Sequence, residues 1–232
     1  MIEIHVFGAS GRMGQAIAEA AAHRDDIRIG DGTPDVFVDF SVPEALQEQL
    51  AAAVAAGKPI LIGTTGLSSQ HQTLIDEAAR EVAVIQAANT SLGVNLLTHL
   101  VHEAAARLGD DWDIEITEMH HRQKVDAPSG TALLLGLAAA EGRGVELDHV
   151  SDRGRDGITG PRQAGHIGFA ALRGGTVAGE HQVIFASDGE RIELGHRAES
   201  RAIFAKGAIE AALWLAGKPA GRYAMADVLG LT

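Results

Sequence analysis

Five consecutive residues, His120-His121-Arg122-Gln123-Lys124, crowd four cationic or titratable side chains together. The chain around them is acidic, with 19 Lys and Arg against 31 Asp and Glu and a formal net charge of −12. A cationic cluster in an acidic chain inverts the local field and suits a small acidic molecule. His120 and His121 point to different sides of an extended segment, so they serve different tasks. Just past Lys124, Asp126-Ala127-Pro128-Ser129-Gly130-Thr131 turns the chain into a helix. Ser129, Gly130 and Thr131 stand at its start, where amide N–H groups and hydroxyls receive a carboxylate. Cations and an anion-binding helix start, about ten residues apart, describe a dicarboxylate site. The competing reading is a solvated surface charge cluster. No metal is expected, because adjacent histidines rarely share an ion and the chain has no cysteine to complete a tetrahedral set.

A second group of residues suits phosphate. Gly8-Ala9-Ser10-Gly11-Arg12-Met13-Gly14 follows an alternating strand pattern at 2–7 and opens a helical one. Glycines at this spacing let the backbone turn tightly and approach a pyrophosphate seated on the helix N-terminus. Gly63, Thr64, Thr65 and Gly66 follow a buried-type strand at 59–62. Ala87, Ala88, Asn89 and Thr90 follow another at 82–85. In a doubly wound sheet, ligands lie beyond the carboxyl ends of the strands. The three loops therefore share one edge, with the Thr64 and Thr65 hydroxyls on the nicotinamide side of a dinucleotide. Any one loop reads equally as an ordinary turn; three together read as a cofactor cleft. His99 and His102 are assigned no function, nor are His5, His23, His71, His149, His166, His181 and His196.

These residues need a scaffold. Strands at 2–7, 27–29, 36–40, 59–62 and 82–85 alternate with helices at 12–22, 41–56 and 69–80. Ser41 with Glu44 gives a capping-box pattern for the second helix. This rhythm predicts a parallel sheet with crossover helices. It changes after Ala88. A helix at 92–108, an alternating strand at 112–118 and a helix at 129–140 come first. Strands at 167–172, 176–186 and 191–196 follow, linked by Gly174-Gly175 and Asp188-Gly189, both hairpin signals. A final helix spans 200–215. The stretch 142–163, rich in Gly, Arg and Asp, reads as a long mobile loop. The expected fold class is α/β: a Rossmann-like doubly wound parallel sheet over 1–91 and 201–232, plus a second α+β domain with an open mixed sheet over 92–200.

Composition removes other classes. With 232 residues, 46% hydrophobic and 22% charged, the chain is an ordinary globular one. Its apolar runs fall far short of the ~20 residues that span a bilayer, so no membrane partner is expected. A net −12 repels phosphate backbones, so neither is nucleic acid. Without cysteine there are no disulfides, and no N-terminal targeting stretch is read; a cytoplasmic location is the expectation.

The stretch Glu118-Met119-His120-His121-Arg122-Gln123-Lys124-Val125-Asp126-Ala127-Pro128-Ser129-Gly130-Thr131-Ala132 resembles the signature of the dihydrodipicolinate reductases, also called 4-hydroxy-tetrahydrodipicolinate reductases. The loops at 8–14, 63–66 and 87–90 and the Gly179-Glu180-His181 stretch match the same pattern, so the resemblance covers nearly the whole chain. It implies NADH or NADPH as cofactor. It also implies reduction of a cyclic imine dicarboxylate, 4-hydroxy-tetrahydrodipicolinate to tetrahydrodipicolinate, in lysine and diaminopimelate biosynthesis. His120 is then proton donor and acceptor and Lys124 proton donor. His121, Gly130 and Thr131, with Ser129 beside them, hold a substrate carboxylate. The second domain implies a homotetramer. One departure concerns the segment between the first helix and the strand at 36–40. It is shorter than in the family, where an acidic residue there meets the adenine ribose. Asp31 has the spacing for that contact, while Arg12 or Arg28 would favour a 2′-phosphate, so the choice between NADH and NADPH stays open. Two rivals are weighed. Another short semialdehyde-type reductase would lack the His120–Lys124 cluster, and a non-catalytic dinucleotide sensor would have no use for both residues.

Overall fold

The computed structural model describes residues 1–30 and 32–231. Asp31, expected at the ribose, lies outside the described residues. The chain divides into two compact units, Met1–Leu92 with Ala202–Thr232, and Gly93–Arg201. No helix among the described residues is long and apolar enough to cross a membrane.

The first unit is built on a six-stranded sheet. In chain order its strands are β1 (Ile2–Phe7), β2 (Ile27–Ile29), β3 (Val36–Asp39), β4 (Ile60–Ile62), β5 (Ala83–Gln86) and the last strand of the chain, β11 (Gly221–Tyr223). Their spatial order is β11-β5-β4-β3-β1-β2 and every pair is parallel. Parallel strands are covered on both faces, which is why β4 and the first three residues of β3 read as unbroken apolar runs. On one face Ile4, Val6, Val38, Leu61 and Ile85 pack with Ile17 of α1 (Arg12–Ala21) and Ile209 and Leu215 of α7 (Ala202–Leu215). On the other, Phe37, Ile60, Ile62 and Val84 pack with Leu46 and Leu50 of α2 (Leu46–Ala56) and Ile75 of α3 (Ser69–Ala78). The expected capping box at Ser41 is absent. A 3₁₀ turn over Pro43–Ala45 precedes α2, and the Ser41 hydroxyl donates instead to Asp39 at 2.6 Å.

Strand β2 is short, pairing only with Ile2, Glu3 and Ile4. Among the described residues, the link to β3 contains no helix. It wraps around Glu3: the Gly30 amide donates to the Ile4 carbonyl, the Asp35 amide to the Glu3 carbonyl and the Gly32 amide to the Glu3 carboxylate.

The second unit has strands β6 (Asp113–His120), β7 (Ser151–Asp152), β8 (Ile167–Arg173), β9 (Gly179–Ser187) and β10 (Glu190–Ala198), in the order β10-β9-β6-β8-β7. The β9–β10 and β6–β9 pairs are antiparallel, while β6–β8 and β7–β8 are parallel. The sheet is therefore mixed. Helices α4 (Leu92–Leu108) and α5 (Gly130–Gly142) cover one face, burying Ile114, Ile116, Phe169, Val183 and Phe185 against Val101, Leu135 and Ala139.

Several sequence expectations need correction. Asp188-Gly189 does close a hairpin, but Gly174-Gly175 does not. Strands β8 and β9 lie on either side of β6. Turn residues reverse the chain without fixing which strand receives it. The stretch 142–163 carries a short helix, α6 (Leu147–Val150), and strand β7. Arg155 and Arg162 beyond them both bind the Glu115 carboxylate of β6, at 2.9 and 2.8 Å. Strand β11 and the closing helix α8 (Met225–Val228) carry too few residues to show a period.

Candidate active site

Strand β6 alternates strictly, and its buried side holds Ile114, Ile116, Glu118 and His120. The strand runs two residues past the expected end, so His120 belongs to it. Glu118 and His120 thus occupy positions where the pattern wants apolar residues; they are only 2% and 8% exposed. A buried charge requires partners. Glu118 receives His120 Nδ1 at 2.6 Å, the two terminal nitrogens of Arg173 at 2.8 Å each and the Ser129 amide at 3.1 Å. Arg173 arrives because β8 pairs His120 with Arg173 in parallel register. Burial works to raise the Glu118 carboxyl, but the bonds from Arg173 and His120 outweigh it and hold it below the usual carboxylate range. A carboxylate has no proton to give. His120 Nδ1 is therefore the donor in their bond, which leaves the Nε2 lone pair outside it.

Strand β9 sets His181 opposite Glu118. Its ring stands edge-on to His120, 5.1 Å between centroids, and its Nε2 lies 3.0 Å from the Ser129 hydroxyl. Burial, reinforced by His120, pushes His181 down to about 4. This has a consequence for stability. The unfolded chain binds the proton first, near the ordinary 6.5. As pH falls from 6.5 toward 4, the folded state loses up to about 3 kcal/mol, and above 6.5 the contribution is complete. Burial lowers His196 in the same direction. Melting temperature measured against pH should fall through this window, and His181→Gln should flatten the fall. An unchanged acid limb in that variant would refute the assignment.

Ser129 caps α5, its hydroxyl accepting from the Ala132 amide at 3.2 Å. It is 1% exposed, so its side chain supports the helix start from beneath. Gly130 is exposed and Thr131 half-buried in the first turn. In the loop between, Lys124 donates to Asp126 at 2.8 Å, and Arg173 donates to the Asp126 carbonyl at 2.6 Å. Lys124 in turn holds the Asp126 carboxyl below its usual range. Half-buried His121 lies 3.3 Å from Arg201. The structure therefore gathers His120, His121, Lys124, Ser129, Gly130 and Thr131 on one strand end, loop and helix start. To these it adds Glu118, Arg173, His181 and Arg201, which the sequence reading gave no role. The signal for Glu118 lay in the chain: it continues the alternation of Ile114 and Ile116.

The loops expected at the nucleotide, 8–14, 63–66 and 87–90, belong to the first unit. Gly8 leaves β1 at φ +77°, a conformation that favours glycine. The Gly11 amide donates back to the Gly8 carbonyl at 2.9 Å and Gly11 caps α1. No side chain caps this helix start, and no acidic residue stands in its first turn. A Cβ on Gly14 would lie 2.5 Å from both the Ala9 Cα and the Gly8 carbonyl oxygen. The glycines thus form a cradle of bare backbone at the positive end of a helix, with Ala9, Ser10, Gly11 and Arg12 exposed and Met13 half-buried. That arrangement fits a pyrophosphate.

The other two loops differ in detail from expectation. The Thr64 hydroxyl turns down onto fully buried Asp39, donating at 2.9 Å and accepting from the Ser41 amide. It secures the loop, which leaves Thr65 exposed. Gly63 packs under the Phe40 ring, where a Cβ would sit 2.1 Å from a ring carbon. Ala87 is buried and Ala88 exposed, and Asn89 accepts from the Ser91 amide at 2.9 Å. The Thr90 hydroxyl donates to the Phe204 carbonyl of α7 at 2.7 Å, and Gly207 lets that helix approach. Arg28 donates from Nε to Glu3 at 3.1 Å, so it is already engaged.

Two family models match the chain: "Dihydrodipicolinate reductase, C-terminus" over residues 93–229 and "Dihydrodipicolinate reductase, N-terminus" over 28–90. The 4-hydroxy-tetrahydrodipicolinate reductase of Zymomonas mobilis is 57% identical over 249 aligned residues, spanning 99% of this chain and 98% of its own. That of Caulobacter vibrioides is 49% identical over 250, spanning 99% and 97%. Both alignments are longer than 232 residues, so they include positions that this chain lacks. A solved dipicolinate-bound dihydrodipicolinate reductase from Paenisporosarcina sp. TG-14 shares the fold, with a TM-score of 0.81 over 98% of each chain at 22% identity. With both family models and full-length relatives in agreement, the chain belongs to the dihydrodipicolinate reductase family.

Proposed function

We propose that the protein is an NAD(P)H-dependent oxidoreductase that converts 4-hydroxy-tetrahydrodipicolinate to tetrahydrodipicolinate in lysine and diaminopimelate biosynthesis. The observation that carries this reading is the buried Glu118–His120 pair beside the start of α5, in a chain of this family. The first unit serves as the dinucleotide-binding domain and the second as the substrate-binding and oligomerisation domain.

Gly8, Ala9, Ser10, Gly11, Arg12 and Met13 hold the pyrophosphate through backbone N–H groups. The loops at 63–65 and 87–90 line the nicotinamide end. When bound, the nicotinamide supplies the hydride. His121 and the first-turn amides of Gly130 and Thr131 hold a substrate carboxylate, and Ser129 braces that turn. The conversion balances as loss of the 4-hydroxyl as water and gain of one hydride and one proton. His120, its Nδ1–H held by Glu118, exchanges protons at Nε2, and Lys124 delivers from Nζ the one taken up. A cytoplasmic homotetramer is part of the same proposal. The homotetramer is supported by the sheet face of the second unit that no helix among the described residues covers, where Leu172 is 56% exposed.

Either cofactor serves. Strand β2, which would carry the ribose selector, ends level with Ile4, and Arg28 is engaged by Glu3. NADH and NADPH should bind within about tenfold of each other, ~1.4 kcal/mol. Calorimetry with both tests this, and a hundredfold preference would refute it. The reaction itself is tested by supplying freshly generated substrate and following the loss of reduced nicotinamide absorbance. No turnover with either cofactor would end the reading.

A further inference from the structure

We propose that Glu118, clamped by Arg173, is the positioning residue of this active site, fixing the ring of His120 and its Nδ1–H tautomer. The proposal rests on the reductase reading above. Its geometry is closed. Oε2 of Glu118 receives His120 Nδ1 at 2.6 Å and Arg173 Nη1 at 2.8 Å. Oε1 receives Arg173 Nη2 at 2.8 Å and the Ser129 amide at 3.1 Å. A carboxylate offers about four acceptor positions, and all are used. The same Arg173 Nη2 reaches the Asp126 carbonyl, and Asp126 holds Lys124.

Imidazole alone has no fixed tautomer or ring orientation. A charged acceptor at Nδ1 selects one, as in the carboxylate–histidine pairs of hydrolases. Arginine suits the clamp because its planar fork binds both oxygens at once and never loses its charge. On the opposite edge of the ring, Gly179 presents no side chain. A Cβ there would stand 3.0 Å from His120 Nε2, so the glycine leaves that nitrogen uncovered. The titratable and charged groups around His120 are Glu118 on its own strand, Arg173 on β8, His181 on β9 and Lys124 in the loop.

The test is Glu118→Gln, which keeps the shape and removes the charge. Turnover should fall about 100-fold or more. Substrate KM and NADH affinity should stay within about threefold, and the pH profile of kcat should move. In a His120→Ala background the same substitution should change turnover less than about threefold, because Glu118 acts through His120. Nitrogen-15 spectra, with His120 assigned by the resonance missing from His120→Ala, should show Nδ1–H in the parent and a mixture in the variant. Where Glu118→Gln does not fold, Arg173→Lys, which keeps the charge but not the fork, should give the same pattern. An equal loss with and without His120 would overturn the proposal, as would an Nε2–H tautomer in the resting parent. The tautomer is read without turnover, so it separates this proposal from the reductase reading.

Discussion

Lys124→Ala and His120→Ala are each expected to lose about 10²–10⁴-fold in turnover, the usual worth of general acid catalysis. NADH affinity should stay unchanged, since the proposed cofactor loops belong to the other unit of the chain. Reduction of an imine dicarboxylate needs a proton when hydride arrives, and two groups suited to supply it lie in one strand end and loop. With its Nδ1–H given to Glu118, His120 is left with Nε2 as the nitrogen that can take up and release a proton. Lys124 is paired with Asp126 and keeps only 19% of its side chain exposed, unlike a solvated surface lysine. If the two act as a unit, the double variant should be little worse than either single one. His121→Ala should behave differently, raising KM more than it lowers kcat, because carboxylate binding is shared by ground and transition states. Steady-state kinetics on the four proteins decides the matter. A merely electrostatic surface patch would leave near-normal turnover in Lys124→Ala and His120→Ala, and that outcome would remove the proposed chemistry.

Gly14→Ala should be the most damaging change to the nucleotide site. In an exposed helix, alanine for glycine stabilises by up to ~1 kcal/mol. Here the added methyl meets the Ala9 Cα and the Gly8 carbonyl oxygen, both at 2.5 Å, and the Ala9 carbonyl oxygen at 2.6 Å. These are backbone atoms and cannot swing aside. Either α1 lifts away from the loop or the loop opens, at an overpacking cost of about 1–3 kcal/mol. The loop's backbone is also the proposed pyrophosphate cradle, so NADH affinity should fall at least about 100-fold, ~2.7 kcal/mol. Gly130→Ala is the control, since nothing lies within 4 Å of a Cβ there and its stability should hardly change. Thermal unfolding and calorimetry on the pair test this. A Gly14→Ala protein with parental melting and parental NADH affinity would refute it.

The alternation of strand and helix up to residue 92 is written in hydrophobic period, and α4 is visible to its ends because seventeen helical residues carry a clear repeat. What escaped has physical reasons. The sequence pattern ends β6 two residues early because its last inward residues, Glu118 and His120, are polar. Hydropathy cannot see that Glu118 and His120 satisfy each other. The Gly174-Gly175 link was misjudged because a turn signal is local, while the insertion of β6 between β8 and β9 is decided fifty residues away. Thr64 and Thr90 have ligand-binding chemistry, but which way a hydroxyl turns depends on Asp39 and α7, distant in sequence. His181 shows the same limit. Nothing near it in the chain announces that β9 will set it against Ser129.

The two units are unequal in how they leave the ribosome. The second is one continuous run, so every strand and helix it needs has been made by Arg201. The first is interrupted. Its core between β1 and α1 stays open until Ala205, Ala208, Ile209, Ala212 and Leu215 of α7 are synthesised, and its β5 edge waits for β11. At ordinary elongation rates that delay is on the order of ten seconds. For that time Ile4, Ile17, Val38 and Ile85 lack the helix that buries them, and the nascent Rossmann half is exposed to aggregation and to chaperone capture. The half that begins synthesis first is the half that finishes folding last.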